Sequence, residues 1–158
     1  MNTLKVFIIF LKEFFMKKIL LVMALVFSIM LVMGCKSTPP TDEDYVKLYD
    51  KSTGLILEGS KMYTVVHGDT LSDIAHKEMG NSFYYPIIML ASRGVVVNPD
   101  KILPGMELTI IDVEKNKASD NARKSMKNCF LGFVDFEKAK PKPDQRLING
   151  FKREAGKL

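Results

Sequence analysis

At 158 residues and 17.9 kDa, the chain is one ordinary domain or a small domain with attachments, since domains run to about 100–200 residues. Lys and Arg number 23 and Asp and Glu 18, a formal charge of +5, and the 47% hydrophobic and 26% charged content is globular rather than disordered. Two Cys exclude a disulfide framework, and two His leave little for multi-His zinc ligation or general-base chemistry.

The N-terminus reads as an export signal. Lys17 and Lys18 form a positive start, residues 19–33 are uncharged with only Ser28 polar, and the small Gly34 precedes Cys35. The run is shorter than the roughly 20 apolar residues that span a bilayer. Val32-Met33-Gly34-Cys35 resembles the lipobox of bacterial lipoproteins. That resemblance implies a signal peptide over residues 1–34, cleavage before Cys35 and diacylation of its thiol. The chain would then be lipid-anchored in the cell envelope, on the inner or outer membrane, facing the periplasm or cell wall. The alternative is an uncleaved signal-anchor helix with an incidental Cys35. A second apolar run at residues 6–11 suits a true start at Met16. Two or more acyl chains anchor stably where one does not, at about 0.8 kcal/mol per buried CH₂. A modified Cys35 leaves Cys129 as a lone thiol, read as a small apolar residue on a helix face.

Beyond Cys35 the charge is polarised. Residues 36–111 carry 7 basic and 10 acidic side chains, whereas residues 112–158 carry 12 basic and 7 acidic ones. Residues 36–42, with Pro39-Pro40, read as an extended tether. Residues 43–50 predict one or two helical turns with Tyr45, Leu48 and Tyr49 on one side. After Thr53-Gly54, Leu55-Ile56-Leu57 is a short strand or a lid. Together, residues 35–61 form the anchor, tether and a short N-terminal extension.

Residues 62–111 are the most informative. Residues 62–66 include β-branched and aromatic residues and predict a strand. Gly68-Asp69-Thr70 turns the chain, and Thr70 with Asp73 predicts a capped helix start. Leu71, Ile74, Ala75 and Met79 share one helical face, and Gly80-Asn81 ends it. Ser82 can cap a second helix with Pro86 in its first turn and Ile87, Ile88, Leu90 and Ala91 on its buried side. Asn98-Pro99-Asp100 and Leu103-Pro104-Gly105 are turns, and residues 106–111 close with a strand. Met79, Met89 and Met106 read as core filler.

The runs YTVVHGDTLSDIA (63–75) and NPDKILPGMEL (98–108) resemble the lysin motif, LysM. The resemblance implies an α+β fold, a βααβ unit with two antiparallel strands and both helices on one face. It also implies binding of N-acetylglucosamine polymers such as peptidoglycan or chitin. Ser72 replaces an aromatic common in relatives, and Ser92 stands where many carry Asn. The implied groove has Gly68, Asp69, Thr70 and Leu71 on one wall and Asn98, Pro99, Asp100, Lys101, Ile102 and Leu103 on the other. Turn amides there would pair with the acetamide, Leu71 and Ile102 would shelter its methyl, and Asp69 and Thr70 would meet sugar hydroxyls. Each residue also has a structural reading: Asp69-Thr70 as a helix cap, Pro104-Gly105 as a turn, and Leu71 and Ile102 as core. Neutral hydrogen bonds contribute only about 0.5–1.5 kcal/mol each, so one module binds weakly and many copies compensate through effective concentration. His67 reads as a solvated turn residue, and His76 has no partner at metal spacing. No metal or other cofactor is expected.

Residues 112–158 predict a helical hairpin. Ala122, Met126, Cys129, Phe133 and Phe136 recur at helical spacing, widened by Phe130 and Val134. Pro141 and Pro143 break the helix, and Asp144 can cap a second one carrying Leu147, Ile148, Phe151 and Ala155. This stripe packs on itself and the βααβ unit, or on a partner protein. The basic charge is either a solvated face or attracts anionic wall polymer or lipid headgroups; nothing points to nucleic acid. The leading functional expectation is non-catalytic, membrane-anchored peptidoglycan binding. Its alternatives are a targeting subunit of a wall hydrolase and a protein-interaction scaffold built on the C-terminal helices. Against catalysis, Asp135 and Glu137 are two residues apart and face different sides of a helix.

Overall fold

A computed structural model describes Lys18, residues 41–49, Ser52 and residues 54–158. Apart from Lys18, the expected signal segment, Cys35 and the tether up to residue 40 lie outside the described residues. Among the described residues no helix is long and apolar enough to cross a membrane.

The order is α1 (Asp42–Tyr49), β1 (Lys61–Thr64), α2 (Leu71–Met79), a 3₁₀ turn (Ser82–Tyr84), α3 (Tyr85–Ala91), β2 (Glu107–Ile110), α4 (Val113–Ala118), α5 (Asp120–Ala139) and α6 (Gln145–Gly156). The fold is therefore α+β, with strand, helix, helix and strand in the expected sequence. The strands pair antiparallel, with Lys61 opposite Ile110 and Thr64 opposite Glu107. The predicted strand over residues 62–66 ends earlier, at Thr64, but backbone pairing continues: Val65 N–H donates to Met106 O and Gly105 N–H to Val65 O, 2.9 Å each. The other edge of β2 is tied down by Ser92, whose Oγ, nearly excluded from solvent, accepts from Thr109 N–H at 2.8 Å.

Local chemistry sets the helix ends. Thr70 Oγ1 accepts from Asp73 N–H at 3.2 Å, and Gly80 adopts φ 76° at the end of α2. Ser82 is not the next cap; Asn81 Oδ1 accepts from Phe83 N–H at 3.0 Å and starts a 3₁₀ turn, after which Pro86 sits in the first turn of α3. Asp42, read as the end of the tether, already belongs to α1, because Thr41 donates its N–H and hydroxyl to Asp44, both at 2.9 Å. Asp144 caps α6 by accepting from Arg146 and Leu147 N–H. The helix α4 was not anticipated; Asp112 caps it through Lys115 N–H.

One core joins these elements. Pro86, Ile87, Ile88, Met89 and Leu90 of α3 are all buried, so this helix is covered on both sides. On one side lie α2 and β2, which contribute Ile74, Leu108 and Ile110; on the other lie α5 and α6, with Met126, Cys129, Phe130, Phe133 and Phe151. Edge-to-face ring pairs mark the second contact: Tyr84 with Phe130 at 5.5 Å and Tyr85 with Phe133 at 5.9 Å. Of the two destinations open to the C-terminal stripe, the structure takes the internal one. Residues 54–57 form no strand. Ile56 is held by the buried Asn116, whose Oδ1 accepts from Ile56 N–H at 2.8 Å and whose Nδ2 donates to Ile56 O at 2.9 Å.

Candidate functional site

The turn after β1 is built around Asp69. Its Oδ2 accepts from the Tyr63 hydroxyl and from Val66 N–H, both at 2.9 Å. Gly68 takes φ 93°, a conformation open to glycine, with no atom within 4 Å of where a Cβ would stand. The carboxylate expected to meet sugar hydroxyls is thus engaged by the turn itself, and the Tyr63 phenol is raised above its usual value, first because it donates to Asp69. Thr70 likewise works inside its own cap, donating to Asp73 Oδ2 at 2.6 Å.

The second loop is closed by Asn98, whose Oδ1 accepts from Asp100 N–H and whose carbonyl accepts from Lys101 N–H, both at 3.0 Å. Asp42 of α1 reaches this loop. It accepts from Lys101 Nζ at 2.8 and 2.9 Å and from Asn98 Nδ2 at 3.4 Å, and these bonds, Lys101 foremost, hold its carboxyl below the ordinary range. Ile102 packs half-buried on the core, while Leu103 is exposed at the 103–106 turn, where Gly105 has φ 91°.

Four of the ten groove residues converge on one cleft of about 260 Å³: Thr70, Leu71, Pro99 and Asp100. Leu71 is otherwise buried at 3% exposure, so it forms floor rather than wall. Gly68, Asp69, Asn98, Lys101, Ile102 and Leu103 do not line it. Ser72 of α2 and Tyr85 of α3 add to the βααβ unit's share, and the rest of the boundary comes from outside it: Tyr45 of α1, Phe133, Phe136, Glu137 and Lys140 of α5 and its end, and Arg146 and Leu147 of α6. The rings of Tyr45 and Phe136 pack tilted at 45° with centroids 4.6 Å apart, and Lys140 Nζ lies 5.3 Å from the Phe136 centroid. Burial, followed by the charges of Asp100, Glu137 and Asp42, pushes the Tyr45 phenol up to about 12, so it stays neutral and can donate. The aromatic stripe of α5 signalled core in the sequence; that its last ring reaches a cleft follows only from how α5 crosses the first two-thirds of the chain.

A larger cavity of about 600 Å³ lies elsewhere, between β1, α2, α4 and α6. Most of its charges are matched within the protein, Lys61 with Glu78, Lys117 with Glu114 and Lys157 with Glu154, and Asp112 is engaged as the α4 cap. The smaller cleft is the stronger candidate because two loops and unpaired polar groups meet there. Among the described residues no three His, Cys, Asp or Glu side chains are grouped to hold a metal.

No family model matches the chain. The chain is similar to a potassium binding protein. That relative, Kbp of Escherichia coli, is 37% identical over 83 residues, 52% of each sequence, so the chain spans about half the length of the curated relative it matches. These findings correct the identification of the chain as a lipoprotein with a single peptidoglycan-binding lysin motif. The relative's name concerns potassium, and wall-polymer binding does not follow from the kinship. What stands is kinship with a binding protein, alongside the likeness of residues 62–111 to the lysin motif.

Proposed function

We propose that this protein is a non-catalytic binding module whose cleft takes N-acetylglucosamine units of peptidoglycan, one sugar at a time. The supporting observation is the cleft itself. Two turns supply Thr70, Leu71, Pro99 and Asp100, and the side chains of Tyr85 and Phe136, with the buried Tyr45, complete an amphipathic lining. Aromatic faces suit the C–H-rich face of a pyranose, and hydroxyls and carboxylates suit its rim. The volume of about 260 Å³ lies just under the roughly 300–1,000 Å³ of small-molecule sites, which matches one sugar rather than a long segment. Many copies facing a repeating polymer would let weak single sites act together.

The test is sedimentation of the chain with purified peptidoglycan, with competition by soluble N-acetylglucosamine oligomers. Wild type is expected in the pellet, and Asp100→Ala, an exposed substitution that removes no helix cap, is expected to weaken retention several-fold. A folded wild-type chain that stays in the supernatant refutes the reading.

A second reading comes from the relative's name. Potassium is held by rings of oxygen ligands, commonly main-chain carbonyls. Stabilisation of the chain by potassium chloride but not by sodium chloride at equal ionic strength would support it, and identical melting in the two salts would reject it.

A further inference from the structure

The cleft contains two opposite charges that do not meet. Asp100, on the 98–101 loop, and Arg146, near the start of α6, both line it, yet no ion pair joins them. Their neighbours are committed elsewhere. Lys140 pairs with the buried Glu137, Glu137 also accepts from Asp144 N–H at 3.0 Å, and Lys101 is taken by Asp42. Asp144 is occupied capping α6, accepting from Arg146 N–H at 2.8 Å, so it leaves the Arg146 guanidinium unclaimed. A ligand seated between the two must offer a donor to Asp100 and an acceptor to Arg146. An uncharged sugar supplies the first through a hydroxyl. The second is best supplied by a carboxylate, which guanidinium holds through two parallel hydrogen bonds.

We propose that the cleft selects N-acetylated amino sugars bearing a carboxylate over their uncharged counterparts, with Arg146 as the residue that sets the preference. This rests on the sugar-binding reading above and deepens it. It distinguishes an acidic wall glycan from a chitin-like one. Arg146 lies outside residues 62–111, so the preference is a property of the assembled chain rather than of the strand–helix unit. The cleft's acids and bases balance, so long-range attraction contributes little and the preference is short-ranged. Because Arg146 is exposed, the gain is modest, roughly three- to tenfold in affinity.

Calorimetric titration of the full chain tests this with four probes. They are an N-acetylglucosamine oligomer, a peptide-free oligomer alternating N-acetylglucosamine with its lactyl-ether acid, the same oligomer with that acid amidated, and a fragment carrying a stem peptide on the lactyl group. The free acid is expected to bind three- to tenfold more tightly than its amide. Arg146→Gln should abolish that difference, so that acid and amide bind alike, while leaving the melting temperature unchanged. A gain confined to the free acid, or one shared by the peptide-bearing fragment, supports the proposal and tells lactyl from peptide carboxylate. Equal binding of acid and amide, or a preference that survives Arg146→Gln, overturns the proposal and leaves the sugar-binding reading intact. Failure of all four probes overturns both.

Discussion

Gly150 on α6 faces the 3₁₀ turn so closely that a Cβ there would overlap the Phe83 ring, reaching 2.5 Å from Cζ and closer still to Cδ1 and Cε1. Ordinary carbon contacts lie near 3.5–4.0 Å, so in Gly150→Ala the ring must retreat by about an ångström or more. It is not free to do so. Phe83 meets Phe151 edge-to-face at 5.9 Å, and the Arg153 guanidinium carbon stands 5.1 Å from its centroid. Overpacking of this kind costs about 1–3 kcal/mol, and loss of the ring pair a further ~0.5–1.5 kcal/mol. The helix itself gains about 1 kcal/mol when glycine becomes alanine. The net expectation is a loss of about 1–3 kcal/mol, a fall of roughly 4 °C in Tm for each kcal/mol. Urea unfolding of wild type, Gly150→Ala, Phe83→Leu and the double variant measures it, because Phe83→Leu should relieve part of the Gly150→Ala penalty through a non-additive cycle. A Gly150→Ala protein as stable as wild type, or strictly additive variants, would refute the packing of α6 against the 3₁₀ turn.

Three further outcomes follow from other contacts. Asn116→Ala removes both hydrogen bonds to Ile56 and the one to Asp112 O, and should cost about 2–3 kcal/mol and speed hydrogen exchange at the Ile56 amide; unchanged exchange there would contradict the clamp. Cys129, fully buried with its thiol directed at Pro86 O at 3.5 Å, has its pKa pushed up by burial, so it should resist thiol reagents in the native state and react only on unfolding; rapid native labelling would disprove this. Tyr63 has a raised pKa in the folded state, so its bond to Asp69 favours folding below the ordinary phenol value of about 10 and is lost as pH rises through the folded value. Asp69→Asn should bring one tyrosine's absorbance titration down toward that ordinary value, and an unmoved titration would count against the bond.

Features governed by near neighbours in the chain were readable from sequence. The Thr70–Asp73 cap, the glycine turn at Gly80, the Pro141–Pro143 break and the Asp144 cap each depend on residues at most a few positions apart. The choice of Asn81 over Ser82 as a cap was not readable, since both residues can accept from a backbone N–H. Asn116 looked like an ordinary polar helix residue because its partner Ile56 lies 60 positions away. The candidate site divides in the same way. The two loops were legible as turns, and the structure brings Thr70, Leu71, Pro99 and Asp100 to one cleft. Tyr45, Phe136 and Arg146 were not legible as site residues, because hydrophobic spacing marks a face as apolar without saying where along the helix it stops being covered.

The rings of Tyr84 and Tyr85 against Phe130, Phe133 and Phe151 bear on inheritance as well as stability. A strand–helix cassette that closes its own interior can be duplicated, strung in tandem or grafted by recombination. Here such a transplant would carry an open wound along α3. Descendants of this gene must therefore pass on the first and last helices together with the piece between them.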